Sequence, residues 1–222
     1  MVRDGIYYAL GFVVAGVLVT SILGSLAAIP FFILAAFCGW FFRDPERPIP
    51  VGPFALSPAD GLVVAVVPED GRTRISIFLN IFDVHVNRSP ISGIITDITY
   101  KKGEFLVASR PEATERNEQN VFTVRAKDGT TVVFSQITGL IARRIVCYKK
   151  QGDFVQAGDR VGLIKFGSRV DVYLGPEWHI QVKPGMRVSG GTSVLAQRAG
   201  EVILTEALAA AAPLKEAAWQ TS

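Results

Sequence analysis

Residues 121–136 read VFTVRAKDGTTVVFSQ, and this stretch decides the fold class. Two runs rich in Val, Phe and Thr flank the turn sequence Asp128-Gly129, which is the pattern of a β-hairpin. Val, Phe and Thr favour strands because their branched or flat side chains pack well on a pleated surface. The stretch therefore predicts two antiparallel strands joined by a tight turn.

Similar runs recur on both sides of this hairpin. Each is short, rich in Val, Ile or Phe, and separated from the next by turn sequences such as Asp-Gly, Lys-Gly or Gly-Asp. In chain order they are residues 62–67, 74–78, 94–100, 121–126, 130–136, 144–149, 160–165 and 170–174. Regular short strands at this spacing predict a mainly β fold, either a sandwich or a partly open barrel. The glycine patterns of Rossmann and P-loop folds follow none of them.

Residues 6–42 are almost wholly apolar and carry no charged side chain. The segments 6–23 and 26–42 each approach the minimum of about 17 residues for a helix that spans a bilayer, and Gly24-Ser25 can form the turn between them. We therefore expect an N-terminal helical hairpin, transmembrane or membrane-embedded. A signal peptide and a buried soluble hairpin are the alternatives, but the first has a shorter apolar core and the second normally has a polar face.

Charge and proline content indicate how the chain is organised. Arg3 and Arg43 flank the apolar pair, so the positive-inside bias places both ends, and the domain that follows, on the cytoplasmic face of the cell membrane. Three prolines within residues 44–50 exclude a helix and predict a stiff linker. The expected organisation is a membrane hairpin at 1–43, this linker, and a β-rich domain at 51–222.

The composition limits which kinds of partner and cofactor are expected. At 222 residues the chain can bury one good core, and its net charge of +3 gives no reason to expect a nucleic-acid partner. Cys38 and Cys147 lie in unlike surroundings, and no Cys or His spacing typical of zinc occurs. Neither a disulfide nor a metal site is therefore expected.

Four short segments are informative together. They are Phe41-Phe42-Arg43-Asp44-Pro45, Ser57-Pro58-Ala59-Asp60-Gly61, Asp83-Val84-His85-Val86-Asn87-Arg88-Ser89-Pro90 and Gly167-Ser168-Arg169. In this order they resemble the phosphatidylserine decarboxylase family in its short form, over roughly residues 41–195. A Val-x-x-Gly pattern within 152–161 and again within 184–191 is similar to the hairpins of lipoyl- and biotin-carrier domains, although the Met-Lys-Met of biotin carriers does not occur.

The resemblance implies that the Gly167–Ser168 bond breaks itself. The Ser168 hydroxyl would take the acyl group from its own nitrogen, elimination would leave dehydroalanine, and hydrolysis would give a pyruvoyl group and ammonia. A β chain of residues 1–167 and an α chain of residues 168–222 would stay associated. The pyruvoyl group would be the cofactor, without metal or pyridoxal phosphate. It would form a Schiff base with the amine of phosphatidylserine and withdraw electrons as carbon dioxide leaves, giving phosphatidylethanolamine.

The residues of these segments can also be interpreted without the family. Gly167 lets the backbone twist, but the hydroxyl of Ser168 is a poor nucleophile unless a neighbour takes its proton. His85 lies in a polar interruption after an apolar run, which suits proton transfer; a structural histidine at a strand end is the alternative. Asp60 is typical of a turn, and the resemblance implies that it pairs with histidine and serine during self-cleavage.

Two positions depart from the longer members of the family. Arg169 replaces a threonine, and Arg88 replaces a second histidine, which leaves open whether His85 serves both cleavage and decarboxylation. Because guanidinium groups bind carboxylates and phosphates, either arginine could hold the lipid head group. The other histidine, His179, stands between apolar residues and is expected to be a packed surface residue.

Two other functions stay open at this point. A decarboxylase of an archaeal ether-linked serine lipid would keep the chemistry and change the lipid. A non-catalytic, membrane-tethered carrier-like β-domain would bind a partner through its hairpins and would remain one uncut chain.

Overall fold

The computed structural model describes residues 2–108, 110, 112–140, 144–165 and 167–198. It opens with two antiparallel helices, α1 (Arg3–Leu23) and α2 (Ser25–Phe41), joined at Gly24, whose φ of 89° suits a glycine. By length and composition α1 could cross a membrane, with a mean hydropathy of 2.2, whereas α2 has 17 residues. The predicted helical hairpin is confirmed.

The described chain then forms fourteen strands and one single-turn helix. They are β1 (Phe54–Leu56), β2 (Gly61–Glu69), β3 (Arg72–Leu79), β4 (Val86–Arg88), β5 (Gly93–Lys101), α3 (Ala113–Arg116), β6 (Gln119–Arg125), β7 (Thr131–Ile137), β8 (Ile145–Cys147), β9 (Phe154–Val155), β10 (Arg160–Ile164), β11 (Ser168–Leu174), β12 (Trp178–Ile180), β13 (Arg187–Val188) and β14 (Val194–Arg198). Every run predicted as a strand coincides with one, and the mainly β fold is confirmed. The strands missed, β1, β4, β9, β12, β13 and β14, have between two and five residues.

The strands form one large sheet and two small ones. The large sheet has the order β13-β2-β3-β11-β7-β6-β5-β9, and the small sheets have the orders β4-β10-β8 and β1-β14-β12. All of these pairings are antiparallel. Register shifts interrupt the β2–β3 and β5–β6 ladders, and such bulges increase the local twist of a sheet.

The hairpin predicted from residues 121–136 is β6–β7. Phe122 and Phe134 are cross-strand partners, fully buried, and their rings stack with centroids 4.8 Å apart. At the turn, the Ala126 N–H donates to the Thr130 carbonyl at 2.8 Å, and Gly129 has a φ of 90°. Stacked aromatic pairs of this kind stabilise antiparallel strands, so this hairpin contributes directly to the main core.

The two Val-x-x-Gly sequences have the same local structure. Val155 ends β9 and Val188 ends β13, and each is followed three residues later by a glycine with a left-handed backbone, Gly158 at a φ of 85° and Gly191 at 77°. The pattern therefore marks a two-residue strand followed by a tight turn in both places.

The helical hairpin packs on the β-rich domain at β10. Phe41 and Phe42 share a buried apolar cluster with Leu163. Two residues after Leu163, the Lys165 ammonium lies 2.8 Å from the carboxylate of Asp4 in α1. The end of β10 is thus held by both helices, and residues 167 and 168 follow directly.

Candidate active site

Three adjacent strands of the large sheet bring the predicted residues to one end. β2 begins at Gly61, directly after Asp60. β3 ends at Leu79, and the next strand, β11, begins at Ser168, which pairs with Leu79. Because antiparallel neighbours start where their partners stop, Asp60, the turn after Leu79 and the Gly167–Ser168 bond lie at the same end of the sheet.

His85 reaches this end from a small sheet. β4 pairs with β10 so that Val86 lies opposite Leu163, and the His85 carbonyl accepts a hydrogen bond from the Ile164 N–H at 3.3 Å. Gly167 follows Ile164 by three residues. His85 therefore lies beside the end of the strand that leads into the predicted cleavage bond.

Ser168 is fully buried. Successive side chains of a strand point to opposite faces of the sheet, so Ser168 lies on the face opposite Arg169. It shares that face with Val170 and Val172, both members of the main core. Its hydroxyl oxygen has no hydrogen-bond partner among the described residues. Buried hydroxyl groups are normally paired, so this unpaired group is an exception that calls for a chemical explanation.

The Gly167–Ser168 peptide has an unusual backbone conformation at Gly167 and lies close to the backbone of Gly139. Gly167 has a φ of 60°, in the left-handed region that only glycine adopts readily. The backbone of Gly139 backs onto the same peptide, because a Cβ placed on Gly139 would lie 2.0 Å from the Gly167 carbonyl oxygen. The carbonyl of the predicted cleavage bond can lie here because residue 139 has no side chain.

His85 is buried with one ring nitrogen bonded and one free. Nδ1 lies 2.8 Å from the carbonyl of Asp83, and because a carbonyl can only accept, Nδ1 carries the proton. Nε2 is buried and has no partner in the described chain, so its lone pair is available. Burial lowers the pKa of His85 to about 4, although the Asp83 carbonyl and the charge of Asp60 act in the opposite direction. The imidazole is thus neutral at physiological pH and can accept a proton.

The ring of His85 also contacts the helical hairpin. Its centroid lies 4.3 Å from that of Phe41, the last residue of α2. Phe41 is itself almost fully buried. The helical hairpin therefore forms one wall of the site and contributes to the burial that keeps His85 neutral.

Asp60 has partners other than the one expected. Its carboxylate accepts hydrogen bonds from the Arg47 guanidinium and from the Gly190 N–H, each at 2.8 Å. No hydrogen bond in the described chain joins Asp60 to His85, whose Nδ1 is bonded to the Asp83 carbonyl, so their pairing stays a prediction. Asp60 influences His85 through its charge, which favours the protonated ring.

Arg169, one of the two arginines predicted to hold the lipid head group, forms an internal ion pair. Its guanidinium binds both carboxylate oxygens of Asp171, at 2.6 and 3.0 Å, and donates to the hydroxyls of Ser76 and Thr114 at 2.8 and 2.5 Å. Both charged side chains are almost completely buried. A guanidinium with this partner set is not free to bind a phosphate or carboxylate.

Arg88 likewise has internal partners. It donates to the carboxylate of Asp44 and the carbonyl of Gly158, each at 3.0 Å, and burial lowers its pKa. Arg88 lines a cavity of about 540 Å³ together with Arg47 and Arg160. Its contact with Asp44 connects the proline-rich linker to the β-rich domain, and its role in holding the head group stays a prediction.

His179 lies in another part of the fold. It is exposed on β12, opposite Gln197 of β14, in a sheet that does not contain Ser168. The expectation of a surface residue is confirmed, although its side chain is exposed rather than packed.

Sequence reasoning missed two residues of the site. Phe41 lay within a quoted segment, but its contact with His85 depends on how the helices dock. Gly139 lies outside every segment, and a single glycine after a strand carries no sequence signal that distinguishes it from an ordinary turn residue.

Comparisons with known proteins identify relatives of this chain. The family model described as phosphatidylserine decarboxylase matches residues 34–196. A phosphatidylserine decarboxylase proenzyme of Solibacter usitatus is 62% identical over 198 residues, 89% of this chain and 97% of the relative. Proteins of the same name from Saccharopolyspora erythraea and Syntrophus aciditrophicus are 48% and 42% identical, over 75% and 87% of this chain and 75% and 95% of their own lengths.

Proposed function

This chain belongs to the phosphatidylserine decarboxylase family, and from that premise we propose that it cuts itself at Gly167–Ser168 and uses the product of Ser168 to decarboxylate phosphatidylserine. That it is an enzyme acting on this lipid follows from the family. The position of the cut, the pyruvoyl group and the roles of individual residues are the proposal. The product is phosphatidylethanolamine.

The environment of Ser168 supports its conversion. An attacking hydroxyl that is buried and unpaired has no hydrogen bond to break first. The left-handed Gly167 gives the bond a backbone conformation that few residues adopt, and the Gly139 backbone limits where its carbonyl oxygen can lie. These features together hold one peptide bond in a defined and uncommon geometry, which is what an intramolecular attack requires.

His85 is the proton acceptor in this proposal. Its neutral ring has a free Nε2, and it lies beside the strand end that leads to Ser168. A base that takes the hydroxyl proton turns a weak nucleophile into an effective one. Asp60 assists through its charge, since a nearby carboxylate stabilises the imidazolium that forms.

After the cut, a pyruvoyl group would supply an electron sink for the decarboxylation. Ser168 is the residue that would carry it, at the start of β11. The buried surroundings of Ser168 would limit the access of water to the reacting carboxylate. In this proposal His85, oriented by the Asp83 carbonyl, would return to the product a proton that its Nε2 has accepted.

The helical hairpin supports attachment to the cell membrane. Its helices are apolar, and Trp40 and Arg43, residue types common at membrane interfaces, stand where α2 ends. We place the β-rich domain, residues 51–222, on the cytoplasmic face, with residues 1–43 as the anchor and 44–50 as the linker. Residues beyond 198 lie outside the described part of the chain.

The observation that carries the proposal is the buried, unpaired hydroxyl of Ser168 at a left-handed glycine. The test is the intact mass of the purified full-length chain and of two variants. Ser168→Ala should give one uncut, inactive chain. Ser135→Ala, a buried serine on the neighbouring strand β7, should be cut like the wild type. Cleavage of Ser168→Ala at this bond would overturn the proposal.

A further inference from the structure

The turn that precedes His85 has an unexpected composition. The Asp83 N–H donates to the Asn80 carbonyl at 3.1 Å, which closes a four-residue turn with Ile81 and Phe82 at its centre. The central positions of turns usually hold Gly, Pro, Asn, Asp or Ser. Here both are large and apolar, and both are exposed, Ile81 by 39% and Phe82 by 66%.

The turn holds its shape through its own hydrogen bonds. The Asn80 side-chain oxygen accepts from the Phe82 N–H at 2.7 Å, and the Asp83 carboxylate accepts from the Asn80 N–H at 2.9 Å. Asp83 is also paired with Arg187 of β13. The two apolar side chains are therefore presented outward by a braced turn and not by a loose loop.

The exposed turn is continuous with the membrane hairpin. The ring of Phe82 contacts the ring of Trp40 edge-on, with centroids 5.7 Å apart, and Trp40 is 41% exposed near the end of α2. Arg43 lies over Trp40 at 4.4 Å and donates to the Phe82 carbonyl at 2.6 Å. Tryptophan and arginine at the end of an apolar helix mark the level of the lipid head groups, so Phe82 lies at that level too.

We propose that the Asn80–Asp83 turn, through Ile81 and Phe82, inserts into the membrane interface beside α2 and is a second membrane-contacting element of the protein. The proposal rests on the membrane attachment put forward above. The partner of the turn is a phospholipid surface, because Ile81 and Phe82 extend the apolar surface of α2 beside Trp40 and Arg43, whose residue types are common at membrane interfaces. Because His85 follows the turn by two residues, insertion of the turn brings the site to the depth of the head group on which it acts.

The first test compares substrates presented in two ways to the full-length protein in phosphatidylcholine vesicles. Phe82→Ser should lower the rate on phosphatidylserine within the vesicles about tenfold, because a lost phenyl contact with lipid weakens interfacial binding by at least this factor. It should leave self-cleavage and the rate on monomeric short-chain phosphatidylserine unchanged. Phe154→Ser removes an equally exposed phenylalanine, 63%, from the edge strand β9 and should change neither rate.

The second test does not depend on activity. A photoreactive benzophenone side chain at position 82 of the uncut Ser168→Ala protein should crosslink to phosphatidylcholine, and the same group at position 154 should not. Equal rates for wild type and Phe82→Ser on vesicles, equal losses on both substrates, or no lipid crosslink at position 82 would each overturn the proposal. A wild-type protein that stays in the supernatant when vesicles are sedimented would overturn membrane attachment itself. A wild-type chain that sediments but stays uncut would count only against the proposed self-cleavage.

Discussion

A single methyl group at Gly139 should stop self-cleavage. In Gly139→Ala the new Cβ would lie 2.0 Å from the carbonyl oxygen of Gly167, whereas ordinary contacts begin at 3.4 Å. The two backbones must therefore separate by about 1.4 Å, and misplacing a reacting group by about 1 Å can cost on the order of 100-fold in rate. We expect Gly139→Ala to be cut at least 100-fold more slowly than the wild type.

The assay follows the uncut fraction of freshly made protein by denaturing electrophoresis, with intact mass to identify the cut. Gly11→Ala is the matched control, because a Cβ at Gly11 meets no atom within 4 Å and α1 is regular there. A thermal melt of both variants separates slow cleavage from poor folding. Cleavage of a well-folded Gly139→Ala protein at the wild-type rate would refute the idea that this position fixes the scissile carbonyl.

The remaining predictions concern charge and protonation. The rate of self-cleavage should stay level as the pH falls through 6.5 and should drop only near pH 4, since the pKa of His85 in the folded chain is about 4 and only the neutral ring accepts a proton. Asp60→Asn should move this midpoint to lower pH, because the charge of Asp60 raises the pKa of His85; a midpoint near 6.5, or one unmoved in the variant, would contradict the assignment. His85 binds a proton more tightly in the unfolded chain, where its pKa is near 6.5, than in the folded chain, where it is about 4. The stability contributed by the neutral ring is therefore complete above pH 6.5 and is lost as the pH falls towards about 4. Thermal melts across this range would measure the loss. Arg169→Met should lower the free energy of unfolding by about 3–5 kcal/mol because it leaves Asp171 buried without its main partner, and the double variant Arg169→Met/Asp171→Leu should recover much of the loss. Unchanged stability of Arg169→Met together with a raised KM for lipid would instead support a head-group role.

The sequence predicted all the described strands of seven residues or more and missed six of the eight shorter ones, for a physical reason. A strand such as β3 or β7 has enough residues to show an apolar pattern and is bounded by turn sequences. β9 has two residues, and its pairing of Val155 with Gly93 joins positions far apart in the chain. Such pairings depend on the packed fold and leave no local pattern.

In the site, too, some features could be predicted from the sequence and others depend on the packed fold. Ser168 and His85 lie in segments whose residue types indicate a nucleophile and a proton acceptor. The structure adds that each has a buried polar atom without a partner in the described chain. The ion pair of Arg169 with Asp171 links two residues on one face of β11, a spacing visible in the sequence. The hydroxyls that complete it come from Ser76 and Thr114, which only the folded chain brings near.

The position of β11 has a consequence for the lifetime of the protein. β11 runs between β3 and β7 in the large sheet, so the proposed cut would leave a new chain end between two neighbouring strands that both belong to the other fragment. The fragments could part only if the sheet came apart, and two separate chains pay more entropy to reassemble than one. The cut protein would therefore owe its persistence to slow unfolding, and its unfolding would be irreversible in practice.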